Sequence, residues 1–127
     1  MKNKKNIVIK IGTTSIIKDK LLNKEFIKSL SRSIKLLRDK GVNTLIVTSG
    51  AVQLGANELE LTKRPTNLKS LQVASAVGQI ELINSFKNIF NESNLKVAQV
   101  LISKNVLEDS SQFINTTDAL NEILNQN

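Results

Sequence analysis

The sequence of 127 residues contains no cysteine, histidine, tryptophan or tyrosine. The lack of cysteine excludes disulfide bonds, thiolate zinc sites and a cysteine nucleophile. The lack of histidine removes the commonest general base, the Ser-His-Asp triad and imidazole metal ligands. The 4 phenylalanines are the only aromatic residues, so stacking platforms for single-stranded nucleic acid are not favoured.

Long apolar runs are also missing, since none approaches the roughly 20 residues that a membrane-spanning helix needs. The start of the chain is basic, but only residues 7–9 form an apolar stretch before Lys10, which is too short for a signal-peptide core. We therefore expect a cytoplasmic protein with no membrane partner. The length fits one domain, and 40% apolar with 23% charged residues is typical of a globular chain.

Positive charge exceeds negative charge, with 18 Lys and Arg against 11 Asp and Glu and a net charge of +7. Lysine greatly outnumbers arginine, and asparagine and isoleucine are abundant, which is typical of compositional drift as much as of a basic surface. The other interpretation is attraction of anionic ligands. A non-catalytic module that binds nucleic acid has this charge as its only support.

Strands alternate with helices along the chain. The pattern predicts strands at residues 6–11, 44–48 and 96–102, and helices at residues 24–40, 51–57, 68–91 and 110–124. The β-branched runs suit strands covered on both faces, and the alternation predicts a parallel sheet between helices. Since three strands make a small sheet, we expect the first half of a larger α/β domain. The last helix is expected to turn four side chains inward: Phe113, Leu120, Ile123 and Leu124.

Ligands of open parallel sheets bind outside the carboxyl ends of the strands, where the predicted turns meet. In the first turn, Lys10 suits phosphate oxygens, and Gly12 allows positive φ and close approach of a ligand to the backbone. Successive N–H groups in such a turn form an anion-binding concavity. Alternatively, Lys10 extends to the sheet edge and only solubilises it. The turn after the third predicted strand, residues 103–105, has a similar composition.

The second turn contains Ser49, Gly50 and Ala51 ahead of a predicted helix, whose N-terminal N–H groups favour a carboxylate or phosphate. Alternatively, Ser49 is an ordinary N-cap. No histidine is present to activate Ser49, so we interpret it as a binding group. Two such turns on adjacent strands describe a site for two anionic groups, one beside a lysine, which suits phosphoryl transfer.

Six segments, in order, resemble the N-terminal part of the glutamate 5-kinases, a family within the amino-acid kinase superfamily. They are IVIKIGTTSI, TLIVTSGAVQLGANEL, KRP, LQVASAVGQIELI, VAQVLIS and FINTTDALNEIL. The lysine-glycine turn is shared across the superfamily, whereas Ser-Gly-Ala-Val at 49–52 with Ala-Val-Gly-Gln at 76–79 is more specific. The resemblance implies a three-layer α/β sandwich with a mainly parallel central sheet, of which residues 1–127 are the N-terminal half without the nucleotide-binding half.

The resemblance also implies an activity: transfer of the γ-phosphoryl group of ATP, with Mg²⁺, to the side-chain carboxylate of L-glutamate, the first step of proline biosynthesis. Lys10 would be catalytic and stabilise the transferring group, and Gly12 and Thr13 would lie in the phosphate-contacting turn. The residues implied to hold glutamate are Ser49, Gly50 and Ala51. No metal ligand is implied within this chain.

The family's Asn-Glu-Asn-Asp segment, later ATP-binding segments and second catalytic lysine have no counterpart in the sequence. We therefore expect the isolated chain to be inactive. The resemblance also implies that the complete protein is a homo-oligomer, as members of the family tend to be. Gln79 and Asn115 match family-typical positions without an implied role. A superfamily kinase with another acceptor, such as aspartate, acetylglutamate or a nucleoside monophosphate, stays open as an alternative.

Overall fold

The computed structural model describes residues 4–126 and divides the chain into two units, Met1–Val97 and Ala98–Asn127. The first unit contains β1 (Lys5–Ile11), α1 (Thr13–Ile16), β2 (Ile17–Lys18), β3 (Leu21–Leu22), α2 (Lys24–Asp39), β4 (Val42–Thr48), α3 (Ala51–Glu58) and α4 (Leu68–Glu92). The second unit contains α5 (Lys104–Glu108) and α6 (Ser110–Asn125). The predicted helices and the first two predicted strands are thereby confirmed. No helix within residues 4–126 is long and apolar enough to cross a membrane.

The sheet of the first unit pairs β1 with β4 in parallel, from Lys5 opposite Val42 to Ile11 opposite Thr48. The parallel arrangement confirms the α/β class. The side chains of one face, which include Ile9 and Ile11, pack into the helical core. On the other face Val8 is 68% exposed. Within the described residues of the first unit, the helices contribute their apolar side chains to one face of the sheet, and no helix of this unit covers Val8 on the other face.

The core of the first unit is built mainly by α2 and α4. Asn23 caps α2 by accepting a hydrogen bond from the N–H of Phe26 at 3.2 Å, and asparagine is a preferred residue at this position. The helix then buries Ile27 and Ile34 at helical spacing. The α4 helix adds further large apolar side chains: Leu82, Phe86, Ile89 and Phe90. Each such burial contributes about 1.5–3 kcal/mol, so α4 dominates the hydrophobic stabilisation of the core.

Two glycines allow α3 and α4 to pack with their backbones in contact. A Cβ atom at Gly55 would lie 1.7 Å from the carbonyl oxygen of Ala74, and one at Gly78 would lie 1.9 Å from that of Ala51. Neither space can hold a methyl group. Glycine inside a helix costs about 1 kcal/mol relative to alanine. The close approach explains why the continuous helix α4 nevertheless contains a glycine at position 78.

The third predicted strand, residues 96–102, is not a strand in the structure. A strand exists only where its N–H and C=O groups pair with a neighbour, and within residues 4–126 this segment has no strand partner. Leu95 and Val97 pack against the core of the first unit, but Leu101 is 74% exposed. High β propensity therefore did not suffice, because propensity acts through packing against adjacent strands.

The second unit is a pair of helices without a buried residue. Asp109 lies between them and caps α6, accepting hydrogen bonds from the N–H groups of Ser111 at 3.0 Å and Gln112 at 2.9 Å. The prediction that Phe113 and Ile123 face inward is wrong, since they are 50% and 38% exposed. The two short amphipathic helices of this unit offer too little apolar surface to enclose them.

The Asp109 cap should make α6 sensitive to acid. The Gln112 N–H, followed by the Ser111 hydroxyl, lowers the pKa of the Asp109 carboxyl. A lowered folded pKa adds stability above the ordinary carboxylate range, and this stability is lost as the pH falls through the folded value. We expect hydrogen-exchange protection at the start of α6 to fall below about pH 4.

Three variants test the acid sensitivity of the Asp109 cap. Asp109→Asn should keep the cap but lose the pH dependence, because asparagine also accepts from the helix N–H groups. Asp109→Ala should lose protection at all pH values, and Asp118→Ala on the same helix should lose none. Unchanged protection in Asp109→Ala would show that the cap contributes nothing.

Candidate functional site

Two turns leave the carboxyl edge of the sheet side by side. The last paired residues of β1 and β4 are Ile11 and Thr48, so Gly12 and Ser49 are the next residues on adjacent strands. The hydroxyls of Thr13 and Ser49 form a hydrogen bond of 2.8 Å across the two turns. The structure therefore brings the first and second predicted turns together, through side chains that both lie exposed to solvent.

The first turn provides open space beside the backbone. Gly12 precedes α1, and its carbonyl accepts hydrogen bonds from the N–H groups of Ser15 and Ile16 at 3.1 and 3.4 Å. Its φ is −77°, so the expected positive φ is wrong; the short helix begins from an extended residue instead. Nothing lies within 4 Å of the position that a Cβ atom of Gly12 would take. The fold itself does not require glycine here, while the space in front of it would admit a ligand.

Lys10 lies opposite Val47 on the open face of the sheet, two residues before the first turn. Its neighbours Ile9 and Ile11 alternate onto the core face, which leaves Lys10 exposed. Lys10 forms no ion pair with any residue of the range 4–126. Its charge is therefore not neutralised by a carboxylate in the described part of the chain, and the ammonium group can meet an anion.

The second turn is held in one conformation by Gly50. Gly50 has φ 117°, a left-handed conformation that side chains oppose, and it is the N-cap of α3. Its carbonyl accepts from the N–H groups of Gln53 and Leu54, each at 3.1 Å. The N–H groups of Ala51 and Val52 have no acceptor within the helix, as in the first turn of any helix. Ser49 is therefore not the N-cap, and its hydroxyl bonds to Thr13 instead.

A short hairpin that the sequence pattern does not predict supports the second turn. It pairs β2 with β3 through Asp19 and Lys20, which have φ 51° and 64°. A Cβ atom on Gly50 would meet Ile17 of β2 at 3.5 Å, and the amide of Asn57 donates to the carbonyl oxygen of Lys20. The sequence signal for this hairpin is weak, because Asp19 and Lys20 at the turn are not the Asn-Gly or Asp-Gly pair that typically marks a two-residue turn.

The remaining predicted positions lie elsewhere. The third turn, residues 103–105, begins α5 in the second unit and follows no strand. Gln79 is half-buried on α4 next to Gly78, and Asn115 is exposed on α6. The structure thus gives the candidate site two turns.

The sequence matches the amino acid kinase family model over residues 5–127. The chain belongs to the amino acid kinase family. Among similar proteins is a glutamate 5-kinase of Prochlorococcus marinus (strain MIT 9301), 38% identical over 125 residues, which are 97% of this chain and 34% of that protein. The match to a glutamate 5-kinase of Enterococcus faecalis is 36% identical, over 100% of this chain and 49% of the relative. A probable glutamate 5-kinase of Schizosaccharomyces pombe is 37% identical, over 93% and 30%.

This amino acid kinase family member spans between about a third and a half of the length of these curated relatives. The similarity covers both turns of the candidate site and all described helices. The resemblance seen in the sequence motifs is thereby confirmed.

The described part of this amino acid kinase family member contains no group of three or more carboxylates that could hold a metal ion. Neither turn of the candidate site carries a carboxylate; their side chains are lysine and hydroxyl groups. Hard cations such as Mg²⁺ take oxygen ligands, usually carboxylates and substrate phosphates. The donor set of these turns therefore fits an anion and not a metal ion.

Substitution of the two turn glycines should lower stability clearly at Gly50 and hardly at all at Gly12. Gly50→Ala should lower the free energy of unfolding by about 1–3 kcal/mol, because alanine resists a left-handed φ and would press on Ile16. Gly12→Ala, in open space at an ordinary φ, should change it by less than about 0.5 kcal/mol. Urea unfolding of the three proteins measures both values. Equal stabilities of Gly50→Ala and the parent chain would contradict the strained turn.

Proposed function

We propose that the protein to which this chain belongs transfers the γ-phosphoryl group of ATP to the side-chain carboxylate of L-glutamate. The observation that carries the proposal is the Thr13–Ser49 hydrogen bond of 2.8 Å, which joins two anion-suited turns. Lys10 lies two residues before the first turn and forms no ion pair within residues 4–126. The names of the relatives support glutamate as the acceptor. The product, glutamyl 5-phosphate, would enter proline biosynthesis.

The first turn would bind the phosphates of ATP. The Gly12 backbone is open to a ligand, so phosphate oxygens can come close to its peptide groups. Thr13 would offer its hydroxyl, and Lys10 would neutralise charge on the transferring group. Phosphoryl transfer needs little covalent help from the protein, because positioning and charge stabilisation supply most of the rate.

The second turn would hold glutamate. The hydroxyl of Ser49 and the N–H groups of Ala51 and Val52 can donate to a carboxylate at the start of α3, where the helix dipole favours negative charge. The bond between Thr13 and Ser49 would keep donor and acceptor turns in register. Residues 4–126 supply no carboxylate cluster for Mg²⁺, so any metal that accompanies ATP would need ligands other than these turns.

The isolated chain should have negligible kinase activity, because it spans 34% of the Prochlorococcus relative and 49% of the Enterococcus relative. A chimera tests the proposal: this chain replaces the matching part of the Enterococcus faecalis enzyme. We expect the chimera to phosphorylate glutamate in preference to aspartate, acetylglutamate and nucleoside monophosphates. A chimera that is folded but prefers one of those acceptors would contradict the proposed substrate.

In that chimera, Lys10→Ala should lower kcat about 10²–10³-fold, as loss of one charge-stabilising group typically does. The KM for glutamate should change little, since Lys10 is placed on the phosphate side. Lys87→Ala on α4, also an exposed lysine, is the matched control and should leave kcat unchanged. Intact turnover in Lys10→Ala would show that Lys10 only solubilises the sheet edge.

Ser49→Ala should mainly raise the KM for glutamate, by roughly tenfold. One hydrogen bond to a charged group contributes about 1.5–3 kcal/mol, and the low end of that range corresponds to a factor of about ten. The KM for ATP should change less than the KM for glutamate, because the variant removes a donor to glutamate and affects the phosphate turn only through the bond to Thr13. Steady-state kinetics with each substrate varied in turn separates the two. A variant whose KM for ATP rose instead would place Ser49 on the phosphate side.

A further inference from the structure

The backbone contact between α3 and α4 reaches the first peptide group after the second turn. Ala51 begins α3 and directly follows Gly50. A Cβ atom on Gly78 would lie 1.9 Å from the carbonyl oxygen of Ala51 and 2.3 Å from the N of Gly55. The backbone of α4 at Gly78 therefore contacts α3 at its N-terminal end, where the second turn leads into the helix.

A second contact lies one helical turn further along α3. A Cβ atom on Gly55 would lie 1.7 Å from the carbonyl oxygen of Ala74 and 2.9 Å from the N of Gly78. Ala74 is fully buried between the helices. Two contacts spaced along the axis define both the distance and the direction of α3 relative to α4, which one contact could not do.

We infer that Gly78, together with Gly55, is a positioning residue that sets where the Ser49 turn lies relative to Thr13. The inference deepens the proposed function and rests on it, since the turn is the one assigned to glutamate. A Cβ atom at position 78 falls more than 1 Å short of the 3.0 Å separation that real Cβ atoms keep. Because the obstructing atoms are backbone, α3 and α4 have to move apart. Any displacement of α3 carries Gly50 and Ser49 with it, since they lead directly into that helix.

Thr13 follows β1 and starts α1, so it does not belong to the helix that the two glycines contact. Displacement of α3 should therefore separate Thr13 from Ser49 and break their hydrogen bond of 2.8 Å. The affected quantity is the spacing of the two turns, and reaction rates fall steeply when reacting groups are misplaced by about 1 Å.

A disulfide reports that spacing without glutamate or ATP. The chain has no cysteine, so a Thr13→Cys/Ser49→Cys protein contains only the engineered pair. Side chains at these positions already meet, so mild oxidation should close an intrachain disulfide quickly. Because the readout involves no substrate, failure of the positioning inference is distinguishable from failure of the proposed kinase function.

Gly78→Ala and Gly55→Ala, each added to the cysteine pair, should lose most of the rate of disulfide formation. Ile80→Ala is the matched control on the same helix, where the side chain is 64% exposed, and should keep the full rate. Phe90→Leu controls for stability, because it weakens the core about 18 Å further along α4. It should also keep the rate.

Disulfide formation at the full rate in a folded Gly78→Ala protein would overturn the inference. The inference would also be overturned if the rate of disulfide formation followed the free energy of unfolding across all four variants, including Phe90→Leu. Circular dichroism shows which variants are folded.

If neither glycine variant folds, hydrogen exchange of the Thr13→Cys/Ser49→Cys protein, with both glycines intact, tests the inference instead. Closing the disulfide should raise protection of the Gly55 and Gly78 amides more than that of the α2 amides. Equal changes in the two regions would show that the turn and the helix contact are not coupled, and would overturn the inference.

Discussion

The parallel register of β1 and β4 is the constraint on which the candidate site depends. Pairing Ile11 with Thr48 makes both strands end at the same level, so the two following turns start as neighbours. A shift of one residue would turn Lys10 onto the core face and Ile9 onto the open face, because side chains alternate along a strand. Burial of the isoleucines opposes that shift, so hydrophobic packing in the core holds a polar site at the edge.

The same alternation explains how an unpaired lysine is tolerated. Lys10 occupies the face that the helices of the first unit leave open, where its charge stays hydrated. Buried charges without partners are costly, and this one avoids the cost by lying at the sheet surface. A carboxylate paired with Lys10 would add little to the stability of the strand, because exposed ion pairs contribute little. It would, however, compete with an incoming phosphate for the lysine.

Periodicity and caps predicted the helices well. The apolar positions of α2 and α4 follow the helical period, and Asn23 before α2 is of a residue type that N-caps favour. The contact between Thr13 and Ser49 joins residues 36 positions apart, which no local pattern reveals; only the prediction of a parallel sheet implied that their turns would meet. The prediction of a strand at residues 96–102 was wrong because it also depended on a distant partner. Composition indicates β propensity, but it does not show whether a neighbouring strand is present to pair with.

The two turns differ in how they are built, and the difference matches what each would have to do. The Gly12 turn is open, with nothing within 4 Å of its Cβ position, whereas the Gly50 turn is enclosed by Ile16 and Ile17 and continues into a helix in backbone contact with α4. A phosphate chain is bound by many peptide groups and needs access. A small acceptor must present one oxygen at reacting distance, roughly 3–3.5 Å, and that requires a rigid support. An open turn that would bind the phosphoryl donor and an enclosed turn that would hold the acceptor, joined by the Thr13–Ser49 hydrogen bond, would satisfy both requirements.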